Sequence, residues 1–300
     1  MLDLAGYSVR AAARTGDHHI LYGSNASATL RGKSGCDGVN HNEKNGDRDR
    51  KEERSVQAQS IDVRERMIVA LDFSTLEEIK QCLAPLEDRI RYVKVGMELS
   101  YAEGPAIVHY LKERGLKVFL DLKVHDIPNT AKGAMKSLAR LGADMVNVHA
   151  AGGVAMMEAA REGLEQGTAA GSPRPILIGV TMLTSTSVQT MNEQLAIPGS
   201  VEDVVVHYAK MTKQAGLDGV VASPLEVPMI KKAAGESFLT VTPGIRPLGS
   251  DKGDQTRITT PEQAFQLGSD YLVIGRAITA AKDPAATWES IVAAVEADRR

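Results

Sequence analysis

Eight short apolar runs, spread from residue 67 almost to the end of the chain, constrain its fold more than any other feature. They are MIVALD (67–72), YVKVG (92–96), KVFLDLK (117–123), MVNVHA (145–150), ILIGVTM (176–182), GVVAS (219–223), FLTVTPG (238–244) and YLVIG (271–275). Their β-branched content reads as strand. Their near-continuous apolar character fits parallel strands covered on both faces. Between them lie stretches of helical period, such as TLEEIKQCLAPL, GPAIVHYLKERG, NTAKGAMKSLARLG and VEDVVVHYAKMTKQAG. Strict alternation of strand and helix defines an α/β fold.

A weak internal repeat sharpens this. LGADMVNVHA, AGLDGVVASP and LGSDYLVIGR share one grammar: a helix ends, Gly142, Gly216 or Gly268 terminates it, an Asp follows two residues later, and a strand begins. Glycine suits the left-handed position just past a helix. Eight strands in repeated αβ units predict a single (β/α)8 barrel over residues 65–300. An open doubly wound sheet fits less well, because no G-x-G-x-x-G follows the first strand.

Composition changes near residue 60. The stretch before it is rich in Gly, Ser, Asn and charge, and includes KNGDRDRKEER. Residues 1–64 are therefore expected to be a disordered extension. Two other readings of it are a start-site artefact with Met67 as the natural start, and a targeting peptide, against which its acidic residues count. His18, His19 and His41 read as scattered polar residues of that tail, not as a metal cluster. A formal net charge of -3 points to no nucleic-acid or membrane-surface partner. No apolar run reaches the roughly 18 residues needed to span a bilayer. With 4% aromatic residues, a stacking platform for single strands is not expected. Cys36 and Cys82 lie far apart without metal spacing, which fits free thiols in a reduced, cytoplasmic setting.

In such a barrel the chemistry sits at the C-terminal ends of the strands. Asp72 ends the first run, Lys94 stands two residues before Gly96 in the second, and Asp121 and Lys123 end the third, with Asp126 in the following loop. Residues i and i+2 of a strand share a face, so Asp121 and Lys123 should lie together with Phe119 deeper in the barrel. One such pair could simply close the barrel structurally. Five charges at one mouth are harder to explain that way, because burying a charge costs several kcal/mol unless it is paired. Carboxylates beside Lys123 favour its protonated form. An ammonium is a poor Schiff-base nucleophile and a good proton donor, while the acids repel a substrate carboxylate. That suits a reaction that loses an anionic group and then needs a proton. His125 and His149 read first as wall residues and second as candidate bases.

A second cluster reads as a phosphate site. TPGIRP supplies Gly244 and Arg246, and VIGRAIT supplies Gly275 and Arg276. The loops after strands seven and eight of a barrel often bind phosphate through backbone N–H groups and a helix N-terminus. The polar segment 246–257, which contains Gln255, reads as a lid over that phosphate.

Taken together, DLKVHDIPNT (121–130), VALDF, VKVGMEL, VTMLTS, TPGIRP and VIGRAIT resemble the orotidine 5'-phosphate decarboxylases of bacterial type, over about residues 65–295. The resemblance implies conversion of orotidine monophosphate to UMP and CO2 without cofactor or metal. It implies that Asp72 and Lys94 contact the ribose and neighbouring charges, Asp121 faces the departing carboxylate, and Lys123 protonates C6. It further implies that Asp126 reaches into the partner's site of a homodimer, that Thr130 and Thr184 contact the ligand, and that Arg246, Gln255, Gly275 and Arg276 hold the phosphate. Two alternatives stay open at this point. One is a Mg2+-dependent sugar-phosphate lyase, a class that resembles this chain in its Asp-x-Lys-x-x-Asp strand but carries an acidic residue near the position of Lys94. The other is a silent barrel that only binds a nucleotide.

Overall fold

Each of the eight apolar runs forms a strand in the computed structural model, which describes residues 62–247 and 259–299. In chain order the elements are β1 (Met67–Leu71), α1 (Leu76–Leu83), β2 (Tyr92–Gly96), α2 (Met97–Glu103), α3 (Ala106–Glu113), β3 (Lys117–Val124), α4 (Pro128–Arg140), β4 (Met145–His149) and α5 (Gly153–Gly167). There follow β5 (Ile176–Val180), α6 (Val201–Gln214), β6 (Gly219–Val221), α7 (Val227–Ala234), β7 (Leu239–Thr242), α8 (Pro261–Gln266), β8 (Tyr271–Ile274), α9 (Arg276–Thr279) and α10 (Pro284–Asp298). The strands pair in parallel, each with the next, and β1 closes on β8 with Met67 opposite Leu272. This is the expected (β/α)8 barrel.

Side-chain alternation explains why the strands read as unbroken apolar runs. Inward-facing Ile68, Tyr92, Phe119, Met145, Ile178 and Val241 pack together inside the barrel. Outward-facing Val69, Val93, Val118, Val146 and Leu177 pack under the helices. Both faces are buried, so both are mainly apolar, and polar exceptions such as Thr240 and Thr242 on β7 are hydrogen-bonded. Phe119 lies deep in the interior, as expected. Helix starts are fixed locally: Thr75 and Glu78 form a reciprocal capping box at α1, and Ser200 caps α6.

The Gly-x-Asp repeat acquires a physical meaning. Gly142, Gly216 and Gly268 have φ of 80°, 77° and 97°, the left-handed conformation that stops each helix. The Asp that follows then bonds to the start of the preceding strand. Asp144 accepts from the Val118 N–H at 2.7 Å and from Lys112 Nζ at 2.6 Å. Asp218 accepts from the Leu177 N–H at 2.7 Å and from Arg174 Nη2 at 2.7 Å. Asp270 accepts from the Thr240 N–H at 2.8 Å and from Lys231 Nζ at 2.6 Å. Three strand pairs are thus locked at the N-terminal end of the barrel, away from the site.

Two expectations need adjustment. Val63 is buried in the core and Arg64 ion-pairs with Glu289 and Glu296, so the packed body reaches back to Asp62, inside the stretch read as an extension. The apolar Val63 fills space under α10, which composition around it did not reveal. Residues 1–61 lie outside the described residues. Strands β5, β6 and β7 end earlier than their apolar runs, because the chain leaves the sheet there to build the rim.

Candidate active site

The inward parity of four adjacent strands carries the site from floor to mouth. Tyr92, Phe119 and Met145 form an apolar floor, and one step up stand Lys94, Asp121 and Asn147. Asp72 follows directly after β1. The charges alternate in a chain: Asp72 Oδ1 lies 2.8 Å from Lys94 Nζ, Lys94 Nζ lies 3.5 Å from Asp121 Oδ2, and Asp121 Oδ1 lies 2.7 Å from Lys123 Nζ. Two acids and two lysines leave the group neutral, which offsets the desolvation of its inner members. The Lys94 and Asp121 side chains are only 10% and 14% exposed. Burial pushes the Asp121 carboxyl up, but Lys94, Lys123 and the hydrogen bonds from Lys123 and Asn147 outweigh it and hold it below the usual carboxylate range.

The third strand does not run straight through this site. Leu120 pairs with Val146 and Val124 with Val148, so four steps along β3 match two along β4. The extra residues bulge, and Lys123 takes up a φ of 50°. A non-glycine residue in that region costs about 1–2 kcal/mol. The peptide N–H of Lys123 donates to Asn147 Oδ1 at 2.8 Å, and Asn147 Nδ2 donates to Asp121 Oδ1 at 2.7 Å. Asp121 and Lys123 do meet, as the i, i+2 argument expects, but across a bulge and not along a regular strand. Asn147 was missed by sequence reasoning. The available signal was a lone amide inside the apolar run MVNVHA.

A cavity of about 350 Å³ opens over these groups. Lys94, Asp121 and Lys123 line one side, and Thr184 with Met182 and Ser185, from the loop after β5, lines another. Gly275 caps α9 beside Asp72: a Cβ there would lie 3.6 Å from Asp72 Oδ2. Arg276, the first residue of α9, is exposed. Arg246 is buried at the end of β7 and donates from Nη1 to the Ile245 carbonyl at 2.9 Å. Ile245 and Thr259, which flank the segment read as a lid, form a parallel bridge. Gln255 itself lies outside the described residues.

Asp126 and Thr130 stand apart. Both are exposed at the start of α4; among the described residues the Asp126 carboxylate accepts from the Ile127 N–H, at 2.7 Å, and forms no ion pair with the charged chain of four. The structure therefore gathers four of the five expected charges. His125 and His149 lie against each other with ring centroids 5.6 Å apart. Burial, then the neighbouring His125 and Lys123, lower the His149 pKa. Among the described residues no group of three or more His, Cys, Asp or Glu side chains gathers to hold a metal.

A closed (β/α)8 barrel with alternating carboxylates and lysines at the mouth of its strand-end cavity is, in class, a barrel enzyme. The comparisons place it more closely: the chain belongs to the Orotidine 5'-phosphate decarboxylase / HUMPS family, whose model matches residues 65–291. It is 56% identical over 225 residues to a Bacillus cytotoxicus protein named orotidine 5'-phosphate decarboxylase, covering 75% of this chain and 94% of that one. A Geobacillus sp. (strain WCH70) protein of the same name is 58% identical over 224 residues, with the same coverage. Among solved structures, orotidine 5'-phosphate decarboxylase from Lactobacillus acidophilus matches with a TM-score of 0.69 at 42% identity, covering 76% of this chain and 98% of that one. An uncharacterized conserved protein from Geobacillus kaustophilus matches with a TM-score of 0.69 at 50% identity, covering 78% of this chain and all of that one.

Proposed function

We propose that this chain is a carboxy-lyase that converts orotidine 5'-phosphate to UMP and CO2 in pyrimidine biosynthesis, with Lys123 as proton donor. The observation that carries the reading is the position of Lys123: its ammonium lines the cavity and lies 2.7 Å from Asp121, within the alternating chain of charge. The bond from C6 to the carboxylate carbon breaks, CO2 departs, and the electron pair stays on C6. Lys123 Nζ–H then delivers its proton to C6, and the lysine is reprotonated from solvent. Asp121, held ionised, faces the substrate carboxylate and repels it in the ground state. Lys94 and Lys123 meet the charge that develops as CO2 leaves. Such preorganised charge acts where charge appears and needs no rearrangement during the reaction.

Substrate orientation would come from the remote end. The N–H groups of Arg276 and Ala277, at the start of α9, have no partner within the helix, and Arg246 and Arg276 offer guanidinium forks to a phosphate. Binding energy gathered there can be realised in the transition state at C6. Thr184 would contact the pyrimidine, and Asp72 with Lys94 the ribose. The proposal includes a homodimer in which Asp126 serves the partner's site, with Thr130 contacting the ligand, and a cytoplasmic setting. The dimer reading is supported by the exposure of Asp126 and by the apolar Ile127 and Tyr101, which are 67% and 77% exposed. The rival, a metal-dependent sugar-phosphate lyase, is disfavoured by Lys94, which stands between Asp72 and Asp121 and pairs with both.

The test is the ultraviolet absorbance change on adding orotidine monophosphate to protein purified in EDTA. Metal-independent turnover is expected. Absence of turnover by folded protein, with turnover of a sugar phosphate on adding Mg2+, would overturn the reading.

A further inference from the structure

We propose that Asn147 is a positioning residue, one that sets Lys123 and Asp121 in a common register through a single buried amide. The inference rests on the decarboxylase reading. Asn147 is 1% exposed and sits on β4 among Met145, Val146 and Val148, all fully buried apolar residues. A buried amide is costly unless its hydrogen bonds are made. Both ends of this one are used, and both partners belong to the same short stretch of β3. Asn147 does not line the cavity, so it acts through other groups and not on a ligand.

The two bonds do different things. The Asn147 carbonyl oxygen takes the Lys123 peptide N–H within the register gap between Leu120 and Val124, where Lys123 holds its left-handed φ. A strained backbone persists only where its surroundings over-determine it, and this bond is one such restraint. The Asn147 Nδ2–H donates to Asp121 Oδ1, the same oxygen that receives Lys123 Nζ, each at 2.7 Å. Two donors on Oδ1 fix the carboxylate plane and leave Oδ2 toward Lys94 at 3.5 Å. The backbone of the proton donor and the carboxylate that holds its ammonium are therefore tied to one side chain. Removal of that side chain would let the bulge relax and the carboxylate rotate, with both charges still present.

Two variants test this against the wild type, with turnover of orotidine monophosphate and UMP binding measured across pH. Asn147→Ala should lose about 100-fold in kcat, the scale of a misplacement near 1 Å, while UMP affinity changes little. Asn147→Asp keeps the shape and the acceptor for the Lys123 N–H but turns a carboxyl toward Asp121. The groups facing it are Asp121 and Lys123 on β3, Lys94 beyond Asp121, and His149 with His125 against it; its β5 neighbour, Ile178, is apolar. Burial and the Asp121 charge raise the pKa of the new carboxyl, the Lys123 charge lowers it, and in its protonated form it can donate as the amide does. Its kcat relative to wild type should therefore rise at least about tenfold as pH falls from 8 to 6, because each pH unit above a group's pKa lowers its protonated fraction about tenfold. The histidines are common to both proteins and cancel in the ratio. Wild-type kcat in Asn147→Ala would overturn the inference. So would an Asn147→Asp profile parallel to the wild type, which decides the matter if the alanine variant does not fold. No turnover by the wild type would overturn the decarboxylase reading and this inference with it, whereas wild-type turnover with unaffected variants overturns this inference alone.

Discussion

Lys123 combines two conditions that seldom meet in one residue: an ammonium bonded to a carboxylate only 14% exposed and a backbone in the left-handed region. Lys123→Ala should therefore lose at least ~10²–10⁴-fold in kcat, the range for a missing general acid, while UMP still binds. Single-turnover rates alongside UMP titration check this, and a near-normal kcat would remove Lys123 from its role. Arg276→Ala should weaken UMP by more than it weakens uridine, as calorimetry on the two ligands would show; equal losses would contradict the phosphate role. Asp121 gives a pH expectation. Its carboxyl is depressed in the folded state, so it contributes stability above its unfolded pKa of about 3.9, and that contribution is lost as pH falls through the lower folded value. The acid limb of melting temperature against pH should be shallower in Asp121→Asn than in wild type. At this scale the sequence was legible where a charge stood out against an apolar run, as at Lys94 and Asp121. It was not legible at Asn147, because the amide's partner is a peptide N–H freed by a bulge that no local pattern announces.

At the scale of elements, the strand runs and their alternation with helices could be read directly, because both faces of each strand are buried. The strand ends could not, since apolar residues continue past the last ladder bond into the rim; Met182 belongs to the run ILIGVTM yet lines the cavity beyond β5. The Gly-x-Asp repeat was visible as grammar, but its meaning required the register: each Asp binds the neighbouring strand's first amides, many residues away in sequence. Asp218→Ala should cost about 1–3 kcal/mol, the value of a charge-assisted bond together with the amide it leaves unmet. Urea unfolding measures this. The same variant should keep kcat close to wild type, because the lock lies at the opposite end of the barrel from Lys123, and a large fall in kcat at normal stability would contradict that separation.

For the whole molecule, the outward Asp126 sets the decisive test of assembly. If it serves a partner's site, mixing equal amounts of Asp126→Asn and Lys123→Ala subunits should restore activity toward about a quarter of wild type, since random exchange makes half of the dimers mixed and each mixed dimer holds one intact site. Subunit exchange followed by turnover measures this, and no recovery after confirmed exchange would count against shared sites. The three Asp locks also say where the chain could be opened. Each ties the chain entering one strand to the chain entering the next: Lys112 to Asp144 before β3 and β4, Arg174 to Asp218 before β5 and β6, and Lys231 to Asp270 before β7 and β8. Arg64 meanwhile reaches Glu296, which brings the two ends of the described body together. A circular permutant that joins those ends and starts anew at the exposed turn near Gly171 would cut no lock, whereas a start near Gly142 would part Asp144 from Val118. The order in which these strand pairs are written along the gene is thus less fixed than the pairs themselves.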